Sequence, residues 1–199
     1  MSVTVIGTIR GMSRWEPDAR GRLEKAALDL YSERGYEQTT AAQIAERAGL
    51  TERTFFRHYA DKREVLFGGS SALEQAFVDT LTDIPHVAAP IDAMATTLET
   101  VAALFLERHE HSQRRQAVIV ANAELREREL IKLASLSAAL AATLRRRGVK
   151  DPAATLTAEA GITVFKVGFE RWVADNGDRP LADFLRESLE ELKVVTGGG

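Results

Sequence analysis

A chain of 199 residues with 45% apolar side chains is long enough for a substantial core and one or two domains. It has no run of about eighteen apolar residues, which excludes a transmembrane helix, and no cysteine, which excludes a disulfide framework and a thiolate zinc site. Net charge is −3, with 11 Lys/Arg against 10 Asp/Glu in residues 1–70 and 15 against 19 in the remainder, so any nucleic-acid binding must rest on local placement of charge and should be salt-sensitive.

Met1 to Arg14 has no periodicity and reads as a solvated tail, spanning residues 1–16 in all. Arg10 and Arg14 lie in it, with DNA contact as the alternative to plain solvation. The tail lacks the apolar stretch of an export signal, which points to the cytoplasm. Met12 is the expected natural start, because the sequence from there resembles a known family's usual beginning, with the preceding residues an upstream extension. Pro17 suits a helix's first turn. Leu23, Ala26, Ala27, Leu30 and Tyr31 then recur at helical spacing up to Gly35.

The stretch from Thr39 to Leu66 is the most informative. Ala41, Ile44, Ala45 and Ala48 form one apolar helical face, and Thr40 with Gln43 has the pattern of a capping box. Gly49 stands where a positive φ is tolerated and ends that helix. Thr51 then caps a second helix. Its Leu50, Phe55 and Tyr59 share an anchoring side, leaving Glu52, Arg53, Thr54, Phe56, Arg57 and His58 facing outward. Asp61 and Glu64 open a third. Two short helices around a three-residue turn predict a helix-turn-helix, which lays its second helix in the DNA major groove. A helical corner with an ordinary charged face is the alternative.

Residues from about Asp18 to Leu66 resemble the DNA-binding domain of TetR-family transcriptional regulators. The resemblance rests on Gly35-Tyr36, Thr39-Thr40, Ile44-Ala45, Ala48-Gly49, Thr51, Thr54-Phe55-Phe56, His58-Tyr59 and Asp61-Lys62. It implies phosphate contacts by Thr40, Thr51, Phe56, His58 and Lys62 and base reading by Arg53 and Thr54. The outward Arg57 completes the DNA-facing set. Phe56 stands where the family more often has Tyr, which removes a hydroxyl-to-phosphate bond.

Beyond Leu66 the third helix is expected to continue to about Asp83. Gly68-Gly69 is either a bending point or a tolerated irregularity. Ile84 to Ala89 reads as a linker. Ile91, Met94, Leu98, Val101, Ala102 and Phe105 resume helical spacing, and Ala117 to Val120 falls on a short helix. Asn122 is placed to cap the next, which stops at Arg145-Arg146-Arg147-Gly148, its basic residues complementing the helix dipole. Asp151-Pro152 opens another by cap and first-turn proline, ending at Asn176-Gly177. Pro180 opens the last, striped by Leu181, Phe184, Leu185, Leu189 and Leu192. The expected architecture is all-α, with about nine helices and no strand. It divides into a helix-turn-helix domain (17–66), a connecting helix (67–83) and a ligand-binding and dimerisation domain (84–196).

The helix after Asp151 carries one stripe of Ile162, Phe165, Phe169 and Trp172 and another of Ala160, Val164, Val167 and Gly168. Apolar on more than one side, it is expected to be buried all round. With the last helix it suits a symmetric four-helix contact, and the resemblance implies the same homodimer; a single chain's core is the alternative. A pocket for a small hydrophobic molecule is expected behind Phe105, His109, Ile119, Asn122, Phe165 and Phe169, with plain core packing the alternative for each residue. His109 and His111 point apart on a helix and hold no metal between them. No phosphate loop, nucleophile elbow or cofactor site is evident. The function expected is a non-enzymatic, ligand-responsive regulator, a repressor by resemblance. It would bind double-stranded DNA at a palindromic operator and keep clear of membranes. The rivals are a helical small-molecule-binding protein without DNA binding and an all-helical enzyme, which would need a buried polar cluster in the C-terminal pocket.

Overall fold

The computed structural model describes residues 18–197; the N-terminal tail, Pro17 and the choice between Met1 and Met12 lie outside them. Nine α-helices and two 3-10 turns make up the described residues, with no strand among them.

Helix α1 (Ala19–Arg34) buries Leu23, Ala26, Ala27, Leu28, Leu30 and Tyr31. Asp18 caps it, accepting from Gly21 N, and Gly35 ends it at φ 87°. Helix α2 (Ala41–Arg47) opens with the expected capping box: Thr40 Oγ1 accepts from Gln43 N, and Gln43 Oε1 accepts from Thr40 N at 2.9 Å. Gly49, at φ 66°, turns the chain into α3 (Glu52–His58), where Thr51 Oγ1 accepts from Thr54 N.

The third helix does not run through as expected. Asp61 Oδ1 accepts from the amides of Arg63 and Glu64, but the chain then forms only a 3-10 turn (Glu64–Phe67). After Gly68-Gly69 it restarts as α4 (Ser70–Asp83). A Cβ on Gly68 would stand 2.3 Å from Glu24 Oε1 and 2.8 Å from the Tyr59 hydroxyl. The break lets the chain pass over the Tyr59–Glu24 hydrogen bond of 2.7 Å.

Helix α5 (Pro90–Ala102) leads through a second 3-10 turn (Ala103–Phe105) to α6 (His109–Ala121) and α7 (Ala123–Arg146). Helices α8 (Ala153–Ala174) and α9 (Leu181–Thr196) complete the fold. Three local expectations are corrected. Asn122 occupies the cap position of α7, but its Nδ2 donates back to Val118 O at 2.7 Å instead of the side chain capping. Pro152, not Asp151, occupies the cap position of α8, while the Asp151 carboxylate accepts from Arg145 and from the Thr155 hydroxyl. Arg147 turns away from its own helix end and donates to the Leu81 and Pro85 carbonyls, closing the end of α4.

Two apolar cores result. One joins α4, α5, α7, α8 and α9 around Phe77, Leu81, Met94, Leu98, Leu140, Leu144 and Phe165. The other fills the helix-turn-helix around Leu23, Ile44 and Phe55, and it also holds Val118, Ile119 and Leu125 from α6 and α7. The N-terminal unit therefore does not close on itself at residue 66. Helix α8 is not buried all round: Leu156 is 64% and Val167 42% exposed.

Candidate nucleic-acid interface and effector cavity

The reading surface starts from what anchors α3. Phe55 is fully buried and packs edge-on to Phe56 and against Tyr59, at centroid distances of 5.3 and 5.8 Å. The Tyr59 hydroxyl donates to Glu24 and accepts from Arg20 Nε at 3.3 Å, which ties the end of α3 to α1. Arg22 donates Nε–H to Ala48 O at 2.9 Å, neutralising carbonyls at the end of α2. With its inner side fixed this way, α3 turns Arg53, Phe56 and Arg57 outward, Phe56 being 52% exposed. Nothing in the described chain engages the Arg53 or Arg57 side chains by hydrogen bond or ion pair. Two free guanidinium groups and an apolar ring on one short helix are suited to phosphates, base edges and thymine methyls. Thr51 and Thr54 share a hydroxyl hydrogen bond of 3.0 Å beside them.

Two candidate DNA contacts stand differently. Lys62 Nζ donates to Tyr36 O at 2.9 Å and Thr39 O at 3.1 Å, lies 3.5 Å from Glu37 O, and is 4.2 Å from the Tyr36 ring centroid. An ammonium has three donors, so Lys62 here fastens the loop between α1 and α2 and has none left for a phosphate. His58 is half-buried, with Nε2 enclosed and without a hydrogen-bond partner. Thr40 keeps its hydroxyl proton while its oxygen caps α2.

Beneath this unit lies a cavity of about 810 Å³. Its walls come from α1, the Val65–Ala76 stretch, the second 3-10 turn, α6, α7 and α8. Phe105, Phe165 and Phe169 line it, with Phe105 to Phe169 centroids 5.7 Å apart and Phe165 to Phe169 5.9 Å. The other three expected wall residues are elsewhere. Ile119 is fully buried in the helix-turn-helix core. Asn122 is at the junction of α6 and α7. His109 packs edge-on to Trp172 at 4.9 Å, with Nε2 2.9 Å from Trp172 O. Sequence periodicity put Phe105, Phe165 and Phe169 on apolar faces but carried no sign of Leu66, Phe67, Ser112 or Arg115, which also line the cavity. Those come from elements far apart in the chain.

The cavity and the reading head share a wall. Arg115 Nε donates to Leu66 O at 2.8 Å, and the guanidinium covers the Phe67 ring at 5.0 Å. Glu64 receives Arg128 and Lys132 from α7, and Asp29 on α1 pairs with Arg114 on α6 at 2.8 Å.

A helix-turn-helix packed on a helical bundle with its own cavity defines a DNA-binding regulator. The chain belongs to the TetR family: residues 23–67 match the model of bacterial regulatory proteins, tetR family, and residues 88–196 match the MftR C-terminal domain. Among curated relatives, the transcriptional regulator TcmR of Streptomyces glaucescens is 42% identical over 82 residues, 41% of this chain and 36% of that protein. The repressor KstR2 of Mycobacterium tuberculosis is 30% identical over 101 residues, 51% of this chain and 48% of that one. The aligned stretches thus span less than half the length of these relatives. The fold is shared with Bacillus subtilis FadR in complex with stearoyl-CoA, with a TM-score of 0.61 and 20% identity, covering 90% of this chain and 99% of that one. It is shared also with Thermus thermophilus FadR in complex with lauroyl-CoA, with a TM-score of 0.53 and 24% identity, covering 87% and 92%.

Proposed function

We propose that this regulator is a repressor that binds a palindromic operator as a homodimer and is released by a small amphiphilic molecule held in the cavity. The carrying observation is the outward face of α3, where Arg53, Phe56 and Arg57 are exposed on a helix whose opposite side is locked into the core. A net charge of −3 makes one such head a weak electrostatic binder, which favours two heads on one duplex. Two-fold symmetry would place the recognition helices in successive major grooves about 34–36 Å apart. The exposed Leu156 and Val167 on α8 support that helix as part of the self-contact.

Release follows from the shared wall. A ligand that fits only one arrangement of α6 against the Leu66–Phe67 turn shifts the population of reading-head positions, and a coupling of about 1–3 kcal/mol makes a useful switch. The phenylalanine-rich cavity and the acyl-CoA molecules named for the two FadR structures support an acyl-type effector. Mobility-shift titration against fragments of the chromosomal region around its own gene tests the reading. We expect one fragment to be retained specifically and released by lauroyl-CoA. Retention of none at any salt concentration refutes DNA-specific function.

A further inference from the structure

Resting on the reading of the cavity as the effector site, we infer that Arg108 at the cap of α6, His111 and Ser112 in its first turn, and Lys166 on α8 form a binding site for an anionic head group, a carboxylate or a phosphate. His111 and Ser112 follow the cap residue Arg108 by three and four positions, and all four residues line the cavity. Ser112 is only 4% exposed. None of the four side chains makes a hydrogen bond or ion pair with another described residue.

One turn further along the same helix the pattern reverses. Arg115 is committed to Leu66 O and to Glu129 Oε1, and Gln116 Nε2 donates to Glu129 Oε2 at 3.3 Å. The protein thus satisfies the donors nearer the reading head and leaves those at the start of α6 without an acceptor. Ser112, though buried as a residue, keeps its hydroxyl open to the cavity, where it can donate to a bound acceptor. A guanidinium and an ammonium facing the same space favour a charge-bearing acceptor. Burial, followed by the charges of Arg108 and Arg115, holds the His111 imidazole below its usual pKa, so at neutral pH it adds an N–H donor without a charge. Glu170 also lines the cavity without a protein donor, so the charges there that no described residue pairs are Arg108, Lys166 and this carboxylate. The three phenylalanine rings receive the apolar remainder.

Calorimetric titration of the full chain with sodium dodecanoate, lauroyl-CoA and dodecan-1-ol tests this. The chains match in length; only the head groups differ. We expect at least one anionic probe to bind tenfold or more tightly than the alcohol, and the anion that does so identifies the source of the charge. Arg108→Gln and Lys166→Gln change exposed side chains that hold nothing else in the fold. Each is expected to shrink the anion-to-alcohol ratio several-fold, and the double variant to bring it close to one. Equal binding of all three probes, or an unchanged ratio in the double variant, overturns the head-group site while leaving the cavity reading intact. Binding of no probe overturns both.

Discussion

Arg53 and Lys62 are both basic residues of the helix-turn-helix, yet their surroundings assign them different work. Arg53 has no partner in the described chain and points outward from α3. Arg53→Ala should cost about 1–3 kcal/mol at the base it reads and relax sequence choice there, measured as the affinity ratio between the operator and a duplex substituted at single positions. Lys62 holds carbonyls near both ends of the α1–α2 loop. Lys62→Ala should therefore lower stability by about 1–3 kcal/mol, the cost of leaving polar groups unpaired, and weaken binding to all duplexes alike through a displaced α2. Urea unfolding alongside anisotropy titration separates the two. An unchanged unfolding midpoint would return Lys62 to the phosphate-contact role. The caps at Thr40 and Thr51 were legible in the sequence because they act over three residues. The Lys62 clamp was not, because it closes a contact 23 to 26 residues away in the chain.

At the scale of elements, the helices were readable from apolar spacing and their ends from glycines at Gly35, Gly49 and Gly148, all of which take positive φ. The break at Gly68-Gly69 was visible only as an ambiguity, because Leu73, Phe77 and Leu81 resume the helical spacing beyond it. Its cause is tertiary: the Tyr59–Glu24 hydrogen bond occupies the space a side chain at residue 68 would need. Gly68→Ala should therefore displace that bond and destabilise the fold by about 1 kcal/mol. Gly69→Ala, which meets nothing within 4 Å, should be neutral or slightly stabilising. Thermal unfolding of the pair checks this, and equal loss in both variants would show that chain flexibility, not close approach, is what residue 68 supplies. Helix α8 was misread as fully enclosed because its apolar residues alone do not tell which of its faces the same chain covers.

Across the whole molecule, the reading head and the helical bundle are joined by a common core and by the ion pairs of Glu64 and Asp29. This junction was the least legible feature, since it brings α6 and α7 against residues some 50 to 85 positions earlier. Burial by itself would raise the Glu64 pKa, but the Arg128 hydrogen bond and the Lys132 charge outweigh it and hold the carboxyl below its usual 4.5. A depressed folded-state pKa stabilises fully above the unfolded value near 4.5 and loses that contribution as pH falls through the lower folded value. Acidification below pH 4.5 should thus loosen the junction, and hydrogen exchange in the Glu64–Phe67 turn should rise. Glu64→Gln should show raised exchange at neutral pH and a flatter response to acid. The same exchange in both proteins across this range would remove Glu64 from the coupling path.

The central claim is that two copies of the outward face of α3 read one duplex. Its most direct measurement is selection of bound sequences from a random duplex pool, followed by sequencing. The account predicts a two-fold symmetric motif with half-sites about one helical turn apart, and loss of information within each half-site for Arg53→Ala. Enrichment of no sequence, or of a single unrepeated half-site, would contradict it.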